Sequence, residues 1–319
     1  SKVLDSELWL LALRFKFLAI MKNNFKAGFV TLIGKPNVGK STLINQLIGE
    51  KIAIVSPRPQ TTRNIIKGIV TFDEAQVIFL DTPGIISLNK TRTLVDRHIV
   101  GEALKSLEGT DIVAIMVEPF SIYEEDRFVL EKLKKLNKPA FLIINKIDKI
   151  KESQLEPLKK NYLDLFLFNR IIPVSAKKGT NLSILMGEII QHLPYHPIYY
   201  PGDFTTDQPE RILVSELVRE KIFILTRAEI PYSTMVKVSQ FEEREEGPIY
   251  IRVVIYVEQK SQKGILIGNS GKMIKKIGSL ARKEIEKRLG CHVYLDLWVG
   301  VKKNWRRQKK SFKEMGYTL

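Results

Sequence analysis

"GKPNVGKS" (34–41) follows the apolar run "FVTLI" (29–33) and precedes "TLINQLI" (42–48). It fits G-x-x-x-x-G-K-[ST] with Gly34, Gly39, Lys40 and Ser41. The glycines let the backbone wrap so that its N–H groups, those of Asn37, Val38 and Thr42 among them, point inward. The start of the following helix adds positive partial charge. Lys40 is expected at the β- and γ-phosphates of a nucleotide and Ser41 on Mg²⁺. A strand before the loop and a helix after it are the context that this chemistry requires.

Outward from that loop, short apolar runs recur: "VIFL" (77–80), "IVAIMV" (112–117), "AFLII" (140–144) and "IIPV" (171–174), with helix-like segments between most of them. Their length and their Val, Ile and Phe content favour strands. The spacing predicts an α/β domain with a mostly parallel sheet and helices on both faces.

Three clusters sit at the ends of these runs. "DTPG" (81–84) places Asp81 for Mg²⁺, through water, and the Gly84 N–H for a γ-phosphate. "NKID" (145–148) offers Asp148 to the N1–H and N2–H₂ edge of guanine, a donor pair that adenine lacks. Lys146 can lie along the base, and Asn145 can tie this loop to the phosphate loop. "SAK" (Ser175, Ala176, Lys177) offers the Ala176 N–H to guanine O6. All lie at carboxyl ends of strands, where open α/β sheets bind ligands.

In this order the motifs resemble those of the translation-factor-like P-loop GTPases, with GTP and Mg²⁺ as the implied ligands. The family's "TTR" pattern matches "PQTTR" (59–63). By that resemblance Thr62, with Thr61 as the alternative, joins Mg²⁺ only when a γ-phosphate is present, which makes the segment a switch. Ile85 stands where Ras-type enzymes carry a water-orienting glutamine. Slow intrinsic hydrolysis is expected, resting on Lys40, Thr62, Gly84 and Asn37. Asn37 matches a position that helps hold K⁺ in some members of the group, which implies potassium assistance.

The chain's 319 residues suffice for two domains, and its apolar fraction of 44% suits real cores. A single cysteine, Cys291, forms no intramolecular disulfide and is read as structural. Residues 259–319 carry 16 Lys/Arg against 4 Asp/Glu, so most of the formal charge of +16 lies in the last fifth of the chain. That asymmetry implies nucleic acid or an anionic membrane as partner. His98, His192, His196 and His292 have no metal-site spacing.

The proline- and aromatic-rich stretch 193–210 reads as a connection that packs against something. Beyond it the pattern predicts α-β-β-α-α-β. Within it lies a second loop, "LIGNSGKMIKK" (266–276). Its glycines are too close for a second triphosphate site, and no Ser or Thr follows Lys272. The frame Ile267, Gly268, Asn269, Ser270, Gly271, Lys272 resembles the I-G-x-x-G loop of KH domains, and the element order resembles the type II arrangement. That loop lies against the backbone of single-stranded RNA, with Lys272, Lys275 and Lys276 beside it. Ile267 and Ile274 are expected to face inward and hold two helices together. The tail (301–317) interleaves Trp305, Phe312 and Tyr317 with basic residues, as a base-stacking arm or as a domain-packing helix.

The expected division is an extension at 1–24, a GTPase domain at 25–195, a linker at 196–208 and a smaller α+β type II KH domain at 209–319. Residues 1–20 read as an addition ahead of a natural start at Met21, with a membrane-surface helix as the rival. The pair of domains resembles the KH-domain-containing ribosome-assembly GTPases. That resemblance implies a monomer in the cytoplasm. It implies binding to the 3′ end of small-subunit ribosomal RNA during subunit assembly, with loose contact to the inner face of the cell membrane. The rival classes are a GTP-controlled membrane-surface or protein-interaction module and a nucleotide- or tRNA-modifying enzyme. The latter lacks a catalytic cysteine context or added metal cluster. Single copies of the nucleotide motifs exclude a tandem-GTPase factor.

Overall fold

A computed structural model of the chain describes residues 24–56, 58, 61–85 and 93–307. The expectations for residues 1–20, Phe312 and Tyr317 lie outside them. The first domain is built on β1 (Lys26–Ile33), β2 (Ile66–Thr71), β3 (Ala75–Asp81), β4 (Ile112–Val117), β5 (Ala140–Ile144) and β6 (Arg170–Pro173). These form one sheet in the order β2-β3-β1-β4-β5-β6. Every neighbouring pair is parallel except β2 with β3. The antiparallel edge strand β2 is absent from the sequence reading; Gly68 in its middle weakens the strand signal.

Among the described residues, five α-helices cover this sheet: α1 (Lys40–Ile48), α2 (Leu94–Lys105), α3 (Glu124–Leu133), α4 (Leu155–Leu163) and α5 (Leu182–His192). Side chains of β1 alternate between two cores. Val30 and Leu32 join Leu43, Ile44, Leu185 and Ile189 on one face. Ile33 joins Ala103, Val129 and Leu158 on the other. Both faces being covered explains why β3 and β4 are buried at every position and read as continuous apolar runs.

The connection is packed, as its aromatics suggested. The Ile69 N–H donates to Thr205 O at 2.9 Å, Thr206 Oγ1 to Lys67 O at 2.7 Å, and the Tyr199 and Tyr200 N–H groups to Gln76 Oε1. It therefore occupies hydrogen-bonding groups of the β2 edge that would otherwise face water.

The second domain runs α6 (Glu210–Leu225), α7 (Ile230–Ser233), β7 (Met235–Glu242), β8 (Ile249–Val257), α8 (Lys260–Ile267), α9 (Lys272–Leu289) and β9 (Val293–Val301). The short α7 adds one element to the expected order. The sheet order is β7-β8-β9, with β8 and β9 parallel. One face of it packs on α6, α8 and α9 through Val218, Ile222, Val253, Ile255, Leu266 and Ile277.

A smaller cluster joins the domains: Val95 and Ile99 of α2 against Met235 and Trp305. Trp305 is fully buried and its Nε1 donates to Ser233 O at 2.8 Å. Of the two readings of the tail, Trp305 follows the domain-packing one.

Candidate nucleotide and RNA sites

The phosphate loop bridges β1 and α1. Gly39 has φ 107°, and a Cβ there would lie 2.4 Å from Asn145 Nδ2, so both conformation and space require glycine. Asn145 is buried; its Nδ2 donates to Val38 O at 2.7 Å and its Oδ1 accepts the Ala176 N–H at 2.9 Å. This one side chain ties the "NKID" loop to the phosphate loop and to "SAK". It also corrects an expectation. The Ala176 N–H already serves Asn145, so it is not aimed at guanine O6 in this arrangement.

Lys40 is buried, and its Nζ donates to Gly34 O at 3.0 Å and Lys35 O at 3.2 Å. Burial lowers its pKa to about 8, against the opposing pull of Asp81. Asp81 is also buried; burial raises its pKa to about 6, although the Lys40 charge and the Ser41 hydrogen bond act the other way. Ser41 Oγ donates to Asp81 Oδ2 at 2.6 Å and lies 3.1 Å from Thr62 Oγ1. Asp81 Oδ1 is buried with no hydrogen-bond partner among the described residues. Three hard oxygen donors converging beside an orphaned carboxylate oxygen suit Mg²⁺. Thr61 is engaged elsewhere: its Oγ1 donates to Arg58 O at 2.8 Å and lies 2.8 Å from Ser56 Oγ.

Pro36, Asn37, Gly39, Lys40, Ser41, Thr42, Thr61, Thr62, Gly84 and Lys146 line one cleft. Gly84 lies hard against Pro36, with its Cβ position 2.6 Å from the Pro36 backbone. The Ile85 N–H donates to Gly34 O at 3.0 Å, and its side chain is fully buried in the core below. It therefore neither reaches nor orients a water at the cleft. Asp148 is exposed, with Oδ1 accepting from Ser175 Oγ at 2.6 Å. That hydrogen bond holds its pKa below the usual carboxylate range, so it stays ionised. Lys177, which follows Ala176, is exposed.

Sequence reasoning missed Glu118, which follows β4. It accepts from Lys35 at 2.5 Å and pairs with Lys146, whose Nζ also donates to Asn37 O at 2.6 Å. Lys35 Nζ lies 3.0 Å from the Tyr123 ring centroid. Burial alone would raise the Glu118 pKa, but hydrogen bonds and charge from Lys146 and Lys35 bring it below the ordinary value. Its position at the carboxyl end of a central strand was the available signal.

In the second loop, Asn269, Ser270, Lys272, Lys275 and Lys276 are exposed. Gly268 has φ 73° and Gly271 has φ 75°; a Cβ on Gly268 would meet Met273 Cβ at 2.7 Å. Among the described residues Asn269 and Ser270 at the tip of the turn stay uncovered, and the start of α9 adds N–H groups to its lysines. The inward pair needs correction. Leu266 and Ile277 are the fully buried residues, Ile274 packs partly against them, and Ile267 is half buried outside that core. No group of three or more His, Cys, Asp or Glu arranged for a metal occurs among the described residues, and no described helix is long and apolar enough to cross a membrane.

A phosphate loop, an Mg²⁺-suited oxygen cluster and an exposed carboxylate after β5 on a mostly parallel sheet define a P-loop GTPase, joined here to a KH domain. The family model "50S ribosome-binding GTPase" matches residues 29–146, and "KH domain" matches 229–306. The chain is 50% identical over 295 residues to GTPase Era of Halothermothrix orenii, covering 92% of this chain and 99% of that protein. It is 46% identical to GTPase Era of Lactobacillus helveticus, covering 93% and 97%. The chain belongs to the Era family of GTPases. A variant of Aquifex aeolicus Era bound to GDP·AlF4⁻ superposes with a TM-score of 0.89 at 40% identity, covering 92% of this chain and all of that one. An Era complex with MgGDPNP and nucleotides 1506–1542 of 16S ribosomal RNA matches equally well, with the same TM-score, identity and coverage.

Proposed function

We propose that this GTPase binds Mg·GTP at the 34–41 loop and unpaired small-subunit ribosomal RNA at the 268–271 turn, as a switch in assembly of the small subunit. The observation that carries the reading is the pairing of both loops in one chain with the likeness to an Era solved with MgGDPNP and 16S RNA together. In this reading Lys40 meets the terminal phosphates, and Asn145, Lys146 and Asp148 hold the base. Ser41, Thr62 and Asp81 hold Mg²⁺, Asp81 through water. The ion supplies neutralisation of phosphate charge. Thr62 is chosen over Thr61 because its hydroxyl already faces Ser41. The turn and its three lysines grip RNA, since glycine allows a strand to approach closely.

The division at 25–195, 196–208 and 209–319 is part of the proposal, as is a cytoplasmic monomer. So is peripheral membrane contact, for which the basic face of the second domain is the available surface. The test is crosslinking of the full chain to total cellular RNA with a GTP analogue or GDP, followed by mapping. Contacts at the 3′ end of small-subunit RNA that strengthen with the analogue support it. Crosslinks spread evenly over all RNAs, equal in both nucleotide states, overturn it.

A further inference from the structure

Arg219, Glu220 and Lys221 are consecutive charged residues on α6, and all three are buried. Such residues are almost never fully buried unless paired. Their partners lie in the first domain or face it. Glu220 accepts the Val55 N–H at 3.1 Å and Lys51 Nζ at 2.7 Å, and Lys221 pairs with Glu220 and Glu284. Arg219 Nη1 donates to both Glu216 oxygens, at 2.6 and 2.5 Å, which neutralises the guanidinium and fixes its direction. Its Nη2 then donates to the Thr61 carbonyl, while its Nε is buried with no partner among the described residues.

The Thr61 carbonyl belongs to the peptide plane that ends at the Thr62 nitrogen and Cα. Because that plane turns as a unit, a grip on the Thr61 oxygen sets the backbone entering Thr62. On the other side, the buried Arg63 donates to Thr234 O and Tyr232 O at 2.9 Å each, and to Pro231 O at 3.5 Å. These are carbonyls at the end of α7, where a helix leaves acceptors unsatisfied and a cation is favoured. Thr62 is thus suspended between two guanidinium contacts, both reaching across the domain boundary.

We infer that Arg219 is a positioning residue for Thr62: the second domain, through the Thr61 peptide, sets whether the Thr62 hydroxyl meets the Ser41 and Asp81 oxygens when a triphosphate is bound. Arg63 completes the clamp. This rests on the reading of Thr62 as a ligand of Mg²⁺ in the triphosphate form. Any ligand that shifts α6 or α7 then alters the preference for GTP over GDP, and the coupling runs equally in reverse.

The test measures affinity of the full-length protein for GDP and for a non-hydrolysable GTP analogue, each with and without Mg²⁺. Arg219→Ala should weaken Mg²⁺-dependent analogue binding about tenfold, the scale of one hydrogen bond from a charged group. GDP binding should change less than about twofold. Arg219→Lys, which can still donate to the Thr61 carbonyl, should recover part of the loss. Unchanged binding, or an equal loss for both nucleotides, overturns the inference. Should Arg219→Ala fail to fold, Glu216→Gln carries the test by loosening the guanidinium without emptying its place. A smaller analogue-selective loss of about threefold supports the inference, and none overturns it. Thr62→Ala separates the two readings. If it leaves discrimination intact, the assignment of Thr62 fails. If it abolishes discrimination and Arg219→Ala does not, only the role of Arg219 fails.

Discussion

Glu118 holds Lys146, the lysine of "NKID", and at 2.5 Å holds Lys35 of the phosphate loop. One carboxylate at the end of β4 therefore ties the "NKID" loop to the 34–41 loop. Glu118→Gln should lower affinity for GDP and GTP alike, by about tenfold each, since a charge-assisted hydrogen bond is worth about 1.5–3 kcal/mol and part is recovered by the amide. Equilibrium titration with a fluorescent guanine nucleotide checks this. An effect confined to GTP would place Glu118 with the switch instead.

The nucleotide-free site carries a pH signature. Asp81 is raised from 3.8 to about 6, opposite to the usual direction for a paired carboxylate. The folded chain then takes up the proton more readily than the unfolded one, so the cost of burying the charge is absent near pH 4 and fully present above about 6. Over that interval nucleotide-free stability should fall by about 3 kcal/mol, at 1.36 kcal/mol per pKa unit. Lys40, lowered from 10.5 to about 8, adds a cost below pH 8 that fades as pH rises toward its unfolded value. The site is therefore least stable from about pH 6 to 8, where nucleotide and Mg²⁺ would relieve it. Urea melts of the wild type and Asp81→Asn between pH 4 and 7 test the acid limb, which the variant should flatten.

Asn37 has φ 64° and lines the phosphate cleft. Ile85, at the position of a water-orienting glutamine in Ras-type enzymes, is buried in the core and does not line the cleft. GTP turnover should be faster in KCl than in NaCl at matched ionic strength, by at least about fivefold if the ion neutralises developing phosphate charge. Asn37→Ala should erase the difference. Equal rates in both salts for the wild type would remove potassium from the account.

The 268–271 turn, the proposed RNA contact, is open to direct perturbation because Asn269 and Ser270 are exposed. Ser270 has φ 50°, a region that aspartate tolerates. Asn269→Asp with Ser270→Asp sets two negative charges against a phosphate backbone and should cost about 10- to 100-fold in RNA affinity at moderate salt. Hydrolysis without RNA should remain within about twofold. Filter binding at several salt concentrations separates this from loss of folding. Retained RNA affinity would move the RNA elsewhere on the domain.

Much of the candidate site was legible as motifs because each is a local backbone device. A glycine where φ is positive, a strand end with a carboxylate, or a turn between two helices needs only a few adjacent residues to declare itself. Gly39, Asp81, Asp148 and Gly268 are of that kind. Glu118 was not, because one glutamate after a strand looks like any solvated end. The use of the Ala176 N–H by Asn145 and the choice of Leu266 over Ile267 were also hidden, since each depends on which way a short segment faces once packed.

The amino-acid order alone determined the two-domain class, the nucleotide motifs with their sequence along the sheet, and the exposed glycine turn of the second domain. All of these follow from short-range spacing and from apolar runs that must be covered on both faces. Only the tertiary structure decided that Arg219, Glu220 and Lys221 are buried, that Trp305 packs on Ile99, and that Arg63 and Arg219 clamp the segment around Thr62. The physical reason is distance along the chain: Arg219 and Thr61 stand 158 positions apart. A charged side chain looks solvated in sequence until the fold supplies the distant carbonyl or carboxylate that makes its burial tolerable.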